Sequence, residues 1–489
     1  MRIKIIMMFL LLSTIAKIPS YAKDNIIIGM RLEPPHLDPT VSSATAIDEI
    51  VYNNIFEGLF SITKSGAVAP LLATQWALSA DRKIYTITVH KNVFFHNGEV
   101  FDADSVVFSF PRILKKNSLN PRVSLFENVK SIKSLSTDTI RFTLYKPDVD
   151  FLYKLALPDA VIVGKSSHDN NKMHPVGTGP FELEGVKKGY FVKLRRNQQY
   201  YGKMAYLKNV KFKFYPSISA ATAGLLSGGI DAFPVYGDSL TVPVLKARKN
   251  LKIIIGTTEG ETLLALNNAH PKLKDIRVRQ ALHYGIDKNK INTVVLQGRG
   301  RVIGSHFPPH SEAYVDVSNV YPYNVSHAKD LLKQAGAENL KLELTVPPSY
   351  DLLAQEIARQ LRRIGVTVRL KKTDWATWLS QVFKKRKYDM TVVTHLEPRD
   401  YDIYAKPSYY FSYKNGKDIQ VMLDALQGSR GEKNRKNILQ KIQKKLNKDA
   451  VNVWLYQFPK VGVWNASLKG MWENSPVEGT PLRQVYWSK

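Results

Sequence analysis

Residues 326–394 switch repeatedly between two hydrophobic periods, and that alternation constrains the fold more than any other feature of the chain. "SHAKDLLKQAG" (326–336) reads as a helix, with Ser326 as candidate cap and Gly336 as its stop. "LKLELTV" (340–346) alternates as a strand. "YDLLAQEIARQLRRIG" (350–365) puts Leu353, Ile357, Leu361 and Ile364 on one stripe and ends at Gly365. "VTVRL" follows as a strand, "WATWLSQVF" as a short helix and "YDMTVVT" as a buried strand. Strands separated by helices pair in parallel, because the crossover must carry the chain back to the same end of the sheet. Ligands of such sheets gather at the carboxyl ends of the strands. The loop after "YDMTVVT", which runs into "HLEPRDYDIY", is therefore the first pocket candidate.

The first half of the chain is more mixed. "IIIGM" (26–30) predicts a buried strand, and three prolines in "RLEPPHLDPT" then break regular structure. "TAIDEIVYNNIFEGLF" (45–60) predicts a helix with Ile47, Ile50, Val51, Ile55 and Leu59 near one face. "KIYTITVH" (83–90) and "TIRFTLY" (139–145) alternate as strands; "DADSVVFSFPRIL" predicts a helix capped by Asp102 and disturbed at Pro111. "HPVGTGPF" (174–181) has the glycines of a phosphate loop but no Lys-Ser or Lys-Thr pair and no helix after it. The run from Phe181 to Leu194 alternates as strand, so these glycines read as scaffold.

The N-terminus, "MRIKIIMMFLLLSTIAKIPSYA", has a charged start, an apolar run and a small-x-small end. It reads as a signal peptide over residues 1–22, cleaved to leave Lys23 first, and no later stretch has eighteen uninterrupted apolar residues. The chain has no cysteine. That removes disulfides, thiol nucleophiles, thiolate metal sites and a lipid anchor on cysteine, and it points to a free periplasmic protein whose core is held by burial. Seventy basic against 42 acidic residues give a net charge of +28. The basic residues are spread along the chain rather than gathered on one face, which argues against nucleic acid as a partner. What remains is a solvated lysine-rich surface, or attraction to acidic ligands or membranes.

No catalytic motif appears. His96 and Glu99 flank a probable Asn97-Gly98 turn, and His306 and His310 in "SHFPPH" likewise lack a third metal ligand. No metal site, cofactor or catalytic residue is expected. Trp375 and Trp378, and the tyrosines of "YAKPSYYFSY" (404–413), are either core or the aromatic wall of a pocket.

Taken together, three blocks resemble the signatures of the oligopeptide/dipeptide solute-binding proteins (family 5) of bacterial ABC importers. They are "LDPTVSSATAIDEIVYNNIFEGLF" with the following "VAPLLATQWALSADRKIYTITVHKNVFFHNGEVFDADSVVFSFPRIL", "PVGTGPFELEGVKKGYFVKLRRNQQYYG" and "ALNNAHPKLKDIRVRQALHYGIDKNKI". The resemblance implies an α/β, two-lobe periplasmic-binding-protein fold (type II, cluster C-like) with an extra subdomain on the first lobe. Lobe I would hold 23–262 plus 463–489, with the subdomain near 50–175, and lobe II would hold 263–462. The hinge would fall near 259–267 and 455–463. It implies a receptor, not an enzyme: a monomer that closes on a peptide or peptide-like solute and delivers it to an inner-membrane ABC permease. The alternative is a receptor of the same fold for haem, an opine-like conjugate or a metal chelate. The ligand-contacting positions implied are Glu33, Trp375, Thr394, His395, Glu397, Arg399, Asp400 and Tyr404. Peptide binders carry an aspartate for the ligand's ammonium where this chain has Thr394, so Glu397, Asp400 or Asp402 would have to replace it. Their arginine for the ligand carboxylate is absent near "PPSYD", leaving Arg399, Arg301 or Arg31.

Overall fold

The computed structural model describes residues 23–42, 44–115, 118–120, 122–237, 241–397 and 399–488. The signal peptide expected over residues 1–22 lies outside them. Eleven strands form one sheet through the molecule. From one edge the order is Phe181–Lys187, Phe191–Arg196, Asn209–Phe214, Asn25–Met30, Ala232–Phe233, Asn452–Asn465, Leu251–Leu266, Met390–His395, Lys341–Val346 and Thr367–Lys372; Arg301–Val302 pairs beside Asn452–Asn465. The strands expected over 340–394 pair in parallel, Lys341–Val346 lying between the other two.

The two central strands, Leu251–Leu266 and Asn452–Asn465, run antiparallel and belong to both lobes. Their register breaks between Thr257 and Glu261. On one side of the break, Ile253, Val461 and Val463 pack into first-lobe hydrophobic clusters. On the other, the two-residue period of the strand divides its side chains: Leu264 and Leu266 enter one second-lobe core, Leu263 and Ala265 the other. The sheet of that lobe is thus covered on both faces, as its near-continuous apolar strands require.

A four-stranded antiparallel sheet, in the order Ala73–Leu78, Ile84–Val89, Thr139–Leu144 and Val129–Ser136, packs on the helix Ala103–Leu114 and forms the extra subdomain. Asp102 caps that helix, its side chain accepting from Ser105 N–H in a reciprocal capping box.

Three expected boundaries differ. The helix begun at Thr45 ends at Val51, because Asn53 takes φ 53° and the Asn54 side chain donates to the Ile50 and Thr480 carbonyls instead of continuing the turn. Ile55 and Leu59 are buried all the same. Pro111 sits inside its helix, which continues to Leu114. The helix Val325–Gln334 is capped by Asn324, one turn-defining residue earlier than Val325, and not by Ser326.

The Gly177–Gly179 segment is scaffold. A Cβ on Gly177 would stand 2.0 Å from the Ile55 carbonyl oxygen, and one on Gly179 2.4 Å from that of Asn54. Gly179 N–H donates to Ile55 O at 3.0 Å and Phe181 N–H to Asn54 O at 2.9 Å, so the glycines let two backbones touch.

Candidate functional site

A cavity of about 480 Å³ opens between the extra subdomain and the second lobe, where the two central strands break register. The subdomain supplies Trp76, Arg82, Tyr85 and Tyr153; the central strand Leu251–Leu266 supplies Glu259 and Glu261; the second lobe supplies His306, His310, His395 and Arg435, among others. The volume suits a small solute.

Glu261 is the most unusual group in the wall. It sits in an otherwise apolar strand segment, its position paired with His395 on the neighbouring strand, and is 3% exposed. His306 Nδ1 lies 2.8 Å from Glu261 Oε2, a close ion pair that lacks hydrogen-bond alignment and leaves this oxygen without an aligned donor. His306 Nε2 meets Asp400 Oδ1 at 2.5 Å, and His395 Nδ1 lies 3.5 Å from Asp400 Oδ2. Burial pushes the Glu261 carboxyl up to about 7, with His306 pulling it back. For His306 burial works against the charged form, yet Glu261 and Asp400 together raise it well above its ordinary value. Burial likewise opposes ionisation of Asp400, but His306 holds its carboxyl well below the usual range. One imidazolium thus serves two carboxyl groups, Asp400 takes the ionised share, and Glu261 is left to titrate near neutrality. Nearby, His310 joins Glu259 (2.6 Å) to Thr257 (2.7 Å).

A second charged group joins the subdomain to the second lobe. Asp150, on the subdomain, accepts from Arg399 Nη1 at 2.9 Å, from Arg435 Nη2 and from the Tyr401 hydroxyl at 2.5 Å. Arg399 also lies 3.8 Å from the Tyr153 ring centroid. Val149 donates to Gln427 and accepts from Arg435, both at 2.8 Å, and Arg82 donates to Ser429 O. Burial opposes the Asp150 charge, but Arg435 and Arg399 hold its carboxyl far below the usual range. Two arginines against one aspartate leave this three-residue group net positive.

Of the residues expected from the sequence, His395, Glu397 and Arg399 line the cavity, and Asp400 lies directly behind, on His306. Tyr404 is 1% exposed, its hydroxyl 3.3 Å from His306 Nδ1 and its ring stacked on Phe411, a supporting position behind the wall. Thr394 shares a hydroxyl contact with Thr262 at 2.9 Å, and its N–H donates to the Tyr350 hydroxyl. Trp375 is 45% exposed, edge-on to Tyr350 and Trp378. Glu33 accepts from the Gly189 N–H on the first lobe. These last three do not line the cavity. Asp402 pairs with Lys406 at the surface. Among the described residues no cluster of His, Asp and Glu is arranged to hold a metal ion. Sequence reasoning missed Glu261, Asp150 and Arg435 and undervalued His306 and His310. A glutamate directly before the apolar run "TLLAL", two residues after Glu259, was the one available signal.

Comparison with known proteins identifies the fold and family. The chain is 28% identical over 383 residues to the dipeptide-binding protein of Escherichia coli strain K12, covering 71% of this chain and 70% of that protein. It superposes on the ABC-transporter-associated periplasmic binding protein DppA of Helicobacter pylori, solved with the peptide STSA, with a TM-score of 0.73 and 25% identity over 96% of this chain and 99% of that one. NikA of Brucella suis, solved with Fe(III)-EDTA, shares the fold with a TM-score of 0.81 at 21% identity, over 95% of this chain and 100% of that one. No described helix is long and apolar enough to cross a membrane. Residues 67–419 match the model of bacterial extracellular solute-binding proteins, family 5. With this match over most of its length, the chain belongs to family 5 of the bacterial extracellular solute-binding proteins, which are transport receptors and not enzymes.

Proposed function

We propose that this receptor captures a peptide or peptide-like zwitterion in the interlobe cavity and passes it to an ABC permease. The observation that carries the reading is the polarity of the wall. Glu261 presents a buried, under-bonded carboxylate for an ammonium, and the net-positive Asp150–Arg399–Arg435 group faces a carboxylate. Buried charges need partners, and paired anchors of opposite sign orient a zwitterion one way round. Glu261 then takes the role expected of an aspartate at Thr394. The lobes follow the boundaries read from the sequence, 23–262 plus 463–489 and 263–462, and they close about a hinge near 259–267 and 455–463. The mature protein is a periplasmic monomer freed of residues 1–22, without a lipid anchor and without nucleic acid as partner. Micromolar capture asks for about −8 kcal/mol net, within reach of a few charge-assisted bonds and an aromatic wall.

A second reading, a non-peptide solute such as haem, an opine-like conjugate or a metal chelate, draws on the three histidines in the wall, His306, His310 and His395. Calorimetry with defined di- and tripeptides, beside mass spectrometry of material co-purified from the periplasm, separates the two. Saturable heat with free peptides supports the first. No heat, together with a co-purified non-peptide, selects the second.

A further inference from the structure

Most of the positive charge is dispersed over the chain, but one second-lobe helix gathers it. Glu432–Lys448 is 17 residues long, and its seven basic residues stand against a single acid, Glu432, at its first position. Leu439, Ile442 and Leu446 commit its apolar stripe to the second-lobe core, with Gln443 and Asn447 buried beside them. Two of the basic residues are paired: Arg435 with Asp150, and Lys445 with Asp418 at 3.1 Å and Asp449 at 2.7 Å. The other five are exposed, and among the described residues none of them joins an ion pair. Lys433, Lys441, Lys444 and Lys448, with Asn437 between, follow one another at spacings of four and three residues. They therefore share the face opposite the buried stripe, as a row about 22 Å long at the helical rise.

The helix begins in the wall of the solute cavity, which Glu432, Arg435, Lys436 and Leu439 line. The row thus starts at the edge of the cleft and runs away from it. A small anion would meet one or two of these lysines, whereas an extended anionic array meets them all. The row carries no apolar side chain, so nothing on it can enter a hydrocarbon layer. Protein interfaces are poor in lysine at their centres, which argues against a protein pocket as the complement. The headgroup plane of a bilayer with anionic lipids is the matching surface, and each lysine brought near it adds to the attraction.

We propose that this lysine row docks the receptor on an anionic lipid bilayer, at headgroup depth and without insertion. The docking is independent of which solute the cleft holds. A receptor lying on this face keeps one edge of its cleft at the membrane surface, where a permease sits.

The test is co-sedimentation of the full mature chain with vesicles of phosphatidylcholine alone and of equal parts phosphatidylcholine and phosphatidylglycerol, at about 0.1 M salt. Lys441→Gln/Lys444→Gln/Lys448→Gln is set beside Lys188→Gln/Lys246→Gln/Lys249→Gln, which removes the same charge from the first lobe. All six positions are exposed, so both variants keep the fold, and equal Tm values check this. The wild type should favour the anionic vesicles by about a hundredfold or more. One lysine near such a surface is worth about fivefold in partition, so the row variant should lose about a hundredfold. The first-lobe variant should stay within about twofold of the wild type, and about 0.5 M salt should release the wild type. Equal losses in the two variants assign the binding to total charge and overturn the row. Binding that survives high salt overturns docking without insertion. No preference for the anionic vesicles overturns the proposal and leaves the row to an acidic protein face.

Discussion

Glu261 stands where two requirements meet: a strand that must be apolar to fill the second lobe, and a cavity that needs a charge. Its carboxyl titrates near 7 because burial penalises the anion more than the shared His306 rewards it. A folded value above the unfolded one, about 4.3, means that the folded protein binds the extra proton between these two pH values. Stability contributed by Glu261 is therefore present at acid pH and lost as pH rises through about 7. An ammonium reverses that preference, since it binds the anion. Affinity for a free-amine peptide should rise as pH increases through neutrality, and Glu261→Gln should flatten this dependence while weakening binding about tenfold to a hundredfold, the worth of one charge-assisted bond. Calorimetry from about pH 5.5 to about pH 7.5, below the point near 8 where the peptide's own ammonium loses its proton, checks both. A wild-type affinity that is flat with pH removes Glu261 from the anchor role. The sequence offered His395, Glu397 and Arg399 because they sit in one loop at the end of one strand. It concealed Glu261, Asp150 and Arg435 because the partners that give them meaning are remote in the chain, Asp150 and Arg435 being 285 residues apart.

At the scale of elements, patterns that are complete within a few residues were legible. The Asp102 capping box, the glycine stops at Gly336 and Gly365 with φ of 62° and 88°, and the parallel strands of residues 341–395 all follow from local spacing. The helix expected over 45–60 was not legible as it is: its apolar period is real, and all five marked residues are buried, but beyond Val51 the burial is met by a turn whose bonds reach Thr480 and Gly179. Tertiary contacts overrode the period. The short helix at Trp375–Trp378 likewise widens into a π-helical turn over Leu379–Lys384, which the sequence pattern could not distinguish from α. The same close approach makes a prediction for Gly177. Gly177→Ala should destabilise the protein by about 1–3 kcal/mol, because the new methyl meets fixed backbone. Gly185→Ala, where a Cβ meets nothing within 4 Å, should be neutral or slightly stabilising. Urea unfolding of both variants measures the contrast, and equal midpoints would contradict the scaffold role.

For the whole molecule, Asp150 bolts the subdomain to the second lobe through Arg399, Arg435 and Tyr401. Its carboxyl is held below the unfolded value, so this contribution is in force above about pH 4 and fades only as pH falls further. Asp150→Asn leaves two arginines without their counter-charge, a loss of about 3–5 kcal/mol when a buried pair is broken. The expected result is a larger radius of gyration by X-ray scattering in the presence of peptide, together with weaker binding; unchanged scattering would show that the lobes meet without this contact. By itself the sequence determined the family, the two-lobe α/β class and the alternating strands and helices of residues 326–394, because these depend on hydrophobic periods, caps and turn residues that act over a few positions. Only the tertiary structure decided which charges share the cleft. Buried ionic groups are set by partners brought together from both lobes, and no local pattern carries the distance between residue 150 and residue 435, or between residue 261 and residue 306.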